Sequence, residues 1–524
     1  MGDDAPVVAV APALPDQRTA AEAVQVWASA DPQLANILAS GVPLADAASR
    51  WGLHLFRRDR LADAVAVFRA AAALLPDDPD SWTRLGIALD RSHRPAEAAG
   101  ALERSVALRR EQPDTWILLG QVRGKLGDRS GAEAAYRTVL DQRPSCCAAW
   151  QCLALLMEEG RDYAAAIDAF RACVSLGEGS VAIWANLGRL CYQTARVLEA
   201  HDAYEVAMRG DPSNALYRQM FRKARFARDV LEGASVDVAL EAYEREEPPL
   251  GDEARKRRLD LLEASAGLLA TSGHLDGALR LVSKRLQLEP SSASARYLLN
   301  VLVDEPGLER SPTDYIVESF DAFAEQFDAK LVGVLGYDVP EQLCAIVRSA
   351  AAPGRRYDAL DAGCGTGLCG PLLRPLSRDL VGVDLSAKML EQAARRGDYD
   401  TLVREELTAF LARNPGRFDL IVAADVLIYF GDLAPLFAVA ATAIRAGGLL
   451  AVSTEQLGAR SDPGRGYRVL PSGRFAHAPE YVRAAADPGF GQELVTSTTL
   501  RLNADERVPG NLFLFRAAPE HGAP

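Results

Sequence analysis

The feature that most constrains this chain is a spacing. Trp82, Trp116, Trp150 and Trp184 follow one another at intervals of 34 residues. The neighbouring positions keep step: Leu85, Leu119, Leu153 and Leu187, then Gly86, Gly120, Ala154 and Gly188. Sixteen residues after each tryptophan stands an alanine, at Ala98, Ala132, Ala166 and Ala200, with Ala64 one period earlier. Four residues further on come Phe68, Leu102, Tyr136, Phe170 and Tyr204. Such a period demands stacked copies of one small structural element rather than a single globular core.

These positions resemble tetratricopeptide repeats. The resemblance implies pairs of antiparallel helices, with small residues at the Gly and Ala positions permitting close approach and large residues filling the neighbouring holes. Pro76, Pro144 and Pro212 punctuate the ends of second helices, which proline cannot continue. Five repeats run from about residue 45 to 212, and a weaker one follows around FRKARFARDVLEG. EREEPPLGDEARKRR (244–258) breaks the pattern and reads as a loop. A further repeat resumes in LLEASAGLLATSGHLDGALRLVSKRLQLEP, with Ala278 and Pro290 in register. The expectation is a superhelical all-α solenoid over 17–303: a helical cap and about seven repeats, irregular near 233–258, preceded by a disordered stretch over 1–16.

After a Pro/Gly-rich charged linker at 304–314 the period changes. YDALDAG, DLVGVDLS, RFDLIVAADVL and GGLLAVSTE are short apolar runs separated by helix-like stretches, the pattern of a doubly wound, Rossmann-like α/β sheet, mostly parallel. The first strand leads into Asp361-Ala362-Gly363-Cys364-Gly365-Thr366-Gly367. Alternating glycines let the backbone turn tightly against a bound nucleoside. Asp384 ends the second strand 23 residues after Asp361, near the offset of an acid that binds ribose hydroxyls. A dinucleotide fingerprint requires a third glycine where this chain has Leu368, and Asp361 would repel a pyrophosphate. The same acid suits a cofactor carrying an amino group and a sulfonium.

Here the chain resembles class I S-adenosylmethionine-dependent methyltransferases over about 312–516. The resemblance implies that Asp361, Gly363, Cys364, Gly365 and Gly367 form the methionine end of the cofactor site, that Asp384 holds the ribose, and that Leu385 and Met389 flank the adenine. In LVREELTAFL, Glu406 matches the acid that contacts the adenine amino group, beside Leu407; Glu405 is a competing register. Asp425 ends the fourth strand, where cofactor and acceptor meet. YIVESFDAFAEQFDAKLVGVLGYDVPEQL (315–343), VLIYFGDL (426–433) and GRFAHAPEYV (473–482) are similar to phrases of bacterial tetratricopeptide-repeat methyltransferases. The domains so implied are a helical lid segment at 315–356, the S-adenosylmethionine-binding domain at 357–516 and a disordered tail at 517–524. Phe320, Phe323 and Phe327 recur at helical spacing and are expected to pack on the sheet, with Tyr315 either packing or reaching towards the cofactor.

Methyl transfer needs alignment and exclusion of water, with a base only where the acceptor must lose a proton. The candidates are His477 as base or orienting group, Arg474 as a clamp for an acidic acceptor, and Tyr429 as a wall. The function expected is therefore methyl transfer, yielding S-adenosylhomocysteine, to an acceptor positioned by the repeats, with a peptide or protein in the solenoid groove slightly favoured. Two alternatives stand beside it: a small-molecule acceptor, with the repeats used for dimerisation or docking, and an interaction scaffold whose cofactor domain does not catalyse. A net charge of −13 argues against nucleic acid as partner. No apolar run reaches the ~18 residues of a membrane span. The opening MGDDAPVVAVAPALP lacks the basic start of a secretory signal, and no metal-ligand spacing occurs among the eight cysteines, so a cytoplasmic protein without metal is expected.

Overall fold

The computed structural model describes residues 12–177, 179–245, 252–303, 305, 307–325, 327–328, 337–458, 464–487, 489–503 and 506–519. The first 11 residues, 246–251, parts of the linker and of the lid segment, and the last five residues of the tail lie outside them. The stretch 244–258, expected to be a loop, is otherwise helical: its ends belong to helices Val236–Arg245 and Asp252–Thr271. Two compact units emerge: one reaches Leu190 and includes Ala203–Tyr217, and the other joins Cys191–Asp202 to everything from Arg218 onward.

In the first unit, helices Gln17–Ala30 and Pro32–Ala39 precede antiparallel pairs such as Leu44–Arg57 with Leu61–Leu74, and Pro79–Arg91 with Pro95–Leu108. Close packing explains the repeat consensus. A Cβ at Gly52 would come within 2.7 Å of the Phe68 ring, and one at Gly86 within 2.7 Å of Leu102, so the large residue of each second helix sits directly over the glycine of the first. The inter-helix turn is equally periodic. Asp59, His93, Gly127, Arg161 and Ala195, each 34 residues from the next, all have left-handed backbone with φ between 57° and 78°. Only Gly127 takes that conformation without strain. Cys147 and Cys173 are bonded to each other across helices Cys147–Glu159 and Tyr163–Ser175, a pairing their spacing did not announce.

The second unit carries repeat helices as far as Leu275–Leu288 and Ala293–Leu302, then a mixed sheet. Its strands are β1 (Tyr357–Ala362), β2 (Ser377–Asp384), β3 (Thr401–Arg404), β4 (Phe418–Ala423), β5 (Ile444–Gln456), β6 (Tyr467–Val469), β7 (Phe475–His477), β8 (Phe490–Asn503) and β9 (Glu506–Ala517). The order β3-β2-β1-β4-β5 is parallel, as the apolar runs predict, and β4 is buried along its whole length. The expected fold class, a helical repeat array followed by a doubly wound α/β domain, is what the chain adopts.

Two additions to the sheet were not foreseen, an antiparallel one through β9 and a β6–β7 hairpin whose β7 joins β5 in parallel. β9 pairs with β5 and with β8, covering one edge of β5 over Leu449–Glu455. On the other edge β5 outruns β4, and its last residues pair with β7 (Glu455 with Ala476, Gln456 with His477). The β6–β7 hairpin thus stands at the carboxyl end of β4. Strand order reverses between β1 and β4, and ligands of such sheets bind in the crevice at that switch.

The segment read as a linker is partly stitched to the sheet. Ser311 N–H donates to the Tyr429 carbonyl (2.8 Å), while the Gly431 and Asp432 amides donate to the Glu309 carbonyl (2.7 and 3.0 Å). Helix Thr313–Phe323 follows, lying against helix Ala387–Arg396.

Candidate active site

The carboxyl ends of β1, β2 and β4 open into a cavity of about 410 Å³. Its floor begins with the glycine loop. Gly363 has φ 68°, and a Cβ there would press into the Val426 side chain, so only glycine lets the loop pass under the post-β4 turn. The Cys364 amide donates to the Val383 carbonyl (3.0 Å), tying the loop to β2.

Asp384 closes the floor on the β2 side. Its two oxygens accept from the Gly365 amide (2.9 Å) and the Ser386 amide (2.9 Å), which fixes the carboxylate while leaving lone pairs on each oxygen. Burial nevertheless raises its pKa. Asp361 lies deeper. The Tyr399 hydroxyl donates to it (2.6 Å), and burial pushes its pKa up to about 7. No cationic side chain pairs with Asp361 among the described residues.

Of the residues singled out in the sequence, the cavity wall includes Tyr315, Asp361, Gly363, Cys364, Gly365, Asp384, Leu385, Glu406, Leu407, Asp425, Tyr429 and Arg474. Three others are placed elsewhere. Gly367 turns away from the cavity, beside Tyr399 and Arg396. Met389 is buried in helix Ala387–Arg396, behind the wall. His477 is fully buried: its Nε2 bonds to the Phe430 carbonyl (2.8 Å), its Nδ1 has no partner, and burial lowers its pKa to about 4. A neutral imidazole held in this way supports the post-β4 turn and has no path to an acceptor.

Glu406 reaches the cavity but is already engaged. One oxygen caps helix Leu407–Ala412 through the Ala409 amide (2.9 Å), and the other accepts from Arg310 (3.0 Å). Glu405, the competing register, pairs with Arg413. Contrary to the packing expected of them, Phe320, Phe323 and Phe327 line the cavity, and Phe320 meets the Tyr429 ring edge-on at 5.7 Å.

Sequence reasoning missed Arg501. From β8 it enters the wall almost fully buried, donating to Asp425 (2.9 Å) and to Glu455 (2.6 Å). Asp425 has φ 56°, and its amide is held by the Ser453 hydroxyl (2.8 Å). Strain of this kind, held by a surrounding network, is common where a residue must face a ligand.

A methyltransferase-domain family model matches residues 360–450, which span the glycine loop, Asp384 and Asp425. A tetratricopeptide-repeat model matches 49–114, 117–181 and 158–215. The chain joins tetratricopeptide repeats to a methyltransferase domain. Relatives of this methyltransferase include the ubiquinone biosynthesis O-methyltransferase of Thiobacillus denitrificans, 28% identical over 182 residues (30% of this chain, 77% of that protein). The protein of the same name from Burkholderia multivorans is 31% identical over 122 residues, covering 22% of this chain and half of that protein. Similar solved structures include the N-methyltransferase NodS from Bradyrhizobium japonicum (19% identity, TM-score 0.28, 34% of this chain and 85% of that one). PilF of Pseudomonas aeruginosa is another (16% identity, TM-score 0.32, 41% and 97%).

The donor set of the cavity fits S-adenosylmethionine. A desolvated carboxylate without a cation, Asp361, is matched by a ligand that brings an ammonium. No helix among the described residues is long and apolar enough to cross a membrane.

Proposed function

We propose that the protein methylates an oxygen of a small molecule with a flat, apolar body. The observation that carries this reading is the aromatic wall: Phe320, Tyr429 and Tyr315 border the same cavity as the glycine loop, beside Asp425. The relatives, named as O-methyltransferases of ubiquinone biosynthesis, favour the same acceptor chemistry.

S-adenosylmethionine supplies a methyl group already activated on a sulfonium. In this reading Asp361 meets the amino group, the backbone of Gly363 and Gly365 lies along the methionine, and Asp384 takes the ribose hydroxyls. Leu385 and Leu407 border the adenine, with Glu406 at its rim. Phe320 and Tyr429 orient the acceptor ring and keep water from the methyl group. His477 is not assigned the base. Asp425 is the carboxylate nearest the acceptor end, where its ion pair with Arg501 orients it.

The test uses the full chain, S-adenosylmethionine tritiated on its methyl group, and cell extract split into protein and small-molecule fractions, with Asp384→Ala as control. Label in the small-molecule fraction, lost in the variant, is the expected result. Label confined to the protein fraction would overturn the small-molecule reading in favour of a peptide acceptor delivered by the repeats. No label, with no binding of S-adenosylhomocysteine, would overturn catalysis itself.

A further inference from the structure

The final repeat helix reaches the acceptor end of the cavity. Tyr297, on helix Ala293–Leu302, is fully buried, and its hydroxyl donates to the Gly473 carbonyl (2.8 Å) while accepting from the Ser311 hydroxyl (3.0 Å). Its ring packs on Tyr315 at 4.5 Å. Gly473 has φ 79° in the turn of the β6–β7 hairpin, and a Cβ there would stand 3.2 Å from Tyr297 and 3.4 Å from the Tyr315 hydroxyl. The same helix is anchored at its other end. Glu318, from helix Thr313–Phe323, accepts from the Ser292 hydroxyl (2.8 Å) and the Ala293 amide (2.8 Å) at its N-terminus.

The residue after Gly473 is Arg474, a partly buried cavity residue. Its charge reaches both Tyr315 and Tyr429, opposing the upward push that burial gives their hydroxyls. The other two cavity guanidinia are neutralised, Arg310 by Glu406 and Arg501 by Asp425 and Glu455. Arg474 has no carboxylate partner among the described residues. A guanidinium walled by aromatic rings and lacking an anion is a half-made ion pair, and it favours a ligand that completes it.

We propose that Arg474 selects acceptors bearing an anionic group, and that Tyr297 of the last repeat is the positioning residue that holds the Gly473–Arg474 turn for that contact. The proposal deepens, and rests on, the small-molecule reading above. It makes the end of the repeat array part of the acceptor site.

The experiment measures binding to the full chain by calorimetry, first of S-adenosylhomocysteine, then of 2-naphthoate and its uncharged counterpart 2-naphthamide to the loaded protein. Wild type is expected to bind the acid at least tenfold more tightly than the amide. Arg474→Gln abolishes that ratio by weakening the acid alone, and Arg474→Lys retains part of it. Tyr297→Phe reduces the ratio several-fold with amide and S-adenosylhomocysteine affinities unchanged, which a general loss of folding would not produce. Equal affinity of wild type for acid and amide, binding of neither, or parallel loss of both in Arg474→Gln would overturn the proposal. A ratio untouched by Tyr297→Phe would overturn the positioning role. Failure of S-adenosylhomocysteine to bind would instead count against the underlying cofactor site, so the two failures are distinguishable.

Discussion

Tyr399 donates its hydroxyl to Asp361 across 2.6 Å beneath the glycine loop, and this is the one strong donor available to an acid whose pKa burial has pushed up to about 7. A cationic ligand favours the ionised carboxylate, so its binding releases a proton below that value. Cofactor affinity is therefore expected to rise from pH 6 towards pH 7.5 and then level off. Calorimetry of S-adenosylhomocysteine in buffers of different ionisation enthalpy checks it, and Asp361→Asn should remove the dependence.

Asp384 exchanges two backbone hydrogen bonds for its position and offers its remaining lone pairs to the cavity. Hydrogen bonds to a charged group contribute about 1.5–3 kcal/mol each. Asp384→Ala should weaken S-adenosylhomocysteine binding roughly 10- to 150-fold for the loss of one such bond. Equal affinity in the variant and wild type would remove the ribose assignment.

Arg501 is buried between Asp425 and Glu455. Removing the cation leaves two like charges facing each other away from water. Arg501→Met is expected to cost about 3–5 kcal/mol of stability. Arg501→Lys should cost less, since it keeps the charge and loses only the fork. Urea unfolding of both variants makes the comparison.

The left-handed turn position gives a prediction for the repeats. His93 holds φ 57° where Gly127 holds the same conformation one repeat later. Relief of about 0.5–1 kcal/mol is expected for His93→Gly, and a loss of about 1 kcal/mol for Gly127→Ala. Thermal unfolding midpoints should move in opposite directions.

His477 carries the pH dependence of stability at the sheet end. Its pKa stands at about 4 in the fold against an ordinary 6.5, so between those values the unfolded chain takes up a proton that the folded chain refuses. Stability present above pH 6.5 is lost as pH falls, on the order of 3 kcal/mol by pH 4. His477→Gln should begin less stable at pH 7.5 yet decline less steeply when urea midpoints are followed to pH 5.

The repeats and the cofactor floor were legible because both are written locally. Trp82 to Trp184 recur in a fixed register, and Asp361, the glycines and Asp384 belong to a strand-loop-helix-strand run whose geometry needs no distant partner. What escaped depends on contacts far apart along the chain. Tyr399 is 38 residues from Asp361, Arg501 is 76 from Asp425, and Tyr297 is 176 from Gly473. His477 misled for a related reason: a histidine in the segment expected to line the acceptor pocket looked available, but β7 points it inward, against the Phe430 carbonyl. Met389 behaved likewise, since periodicity placed it on a buried face without saying which neighbour it would meet.

The β6–β7 hairpin grows from the stretch of β5 that outruns β4, so its turn can lengthen, shorten or change residues without shifting any pair of the parallel strands. Under the role proposed for Arg474, choice of acceptor is thereby mechanically uncoupled from handling of the methyl donor. A lineage built on this scaffold can retune the first while inheriting the second intact.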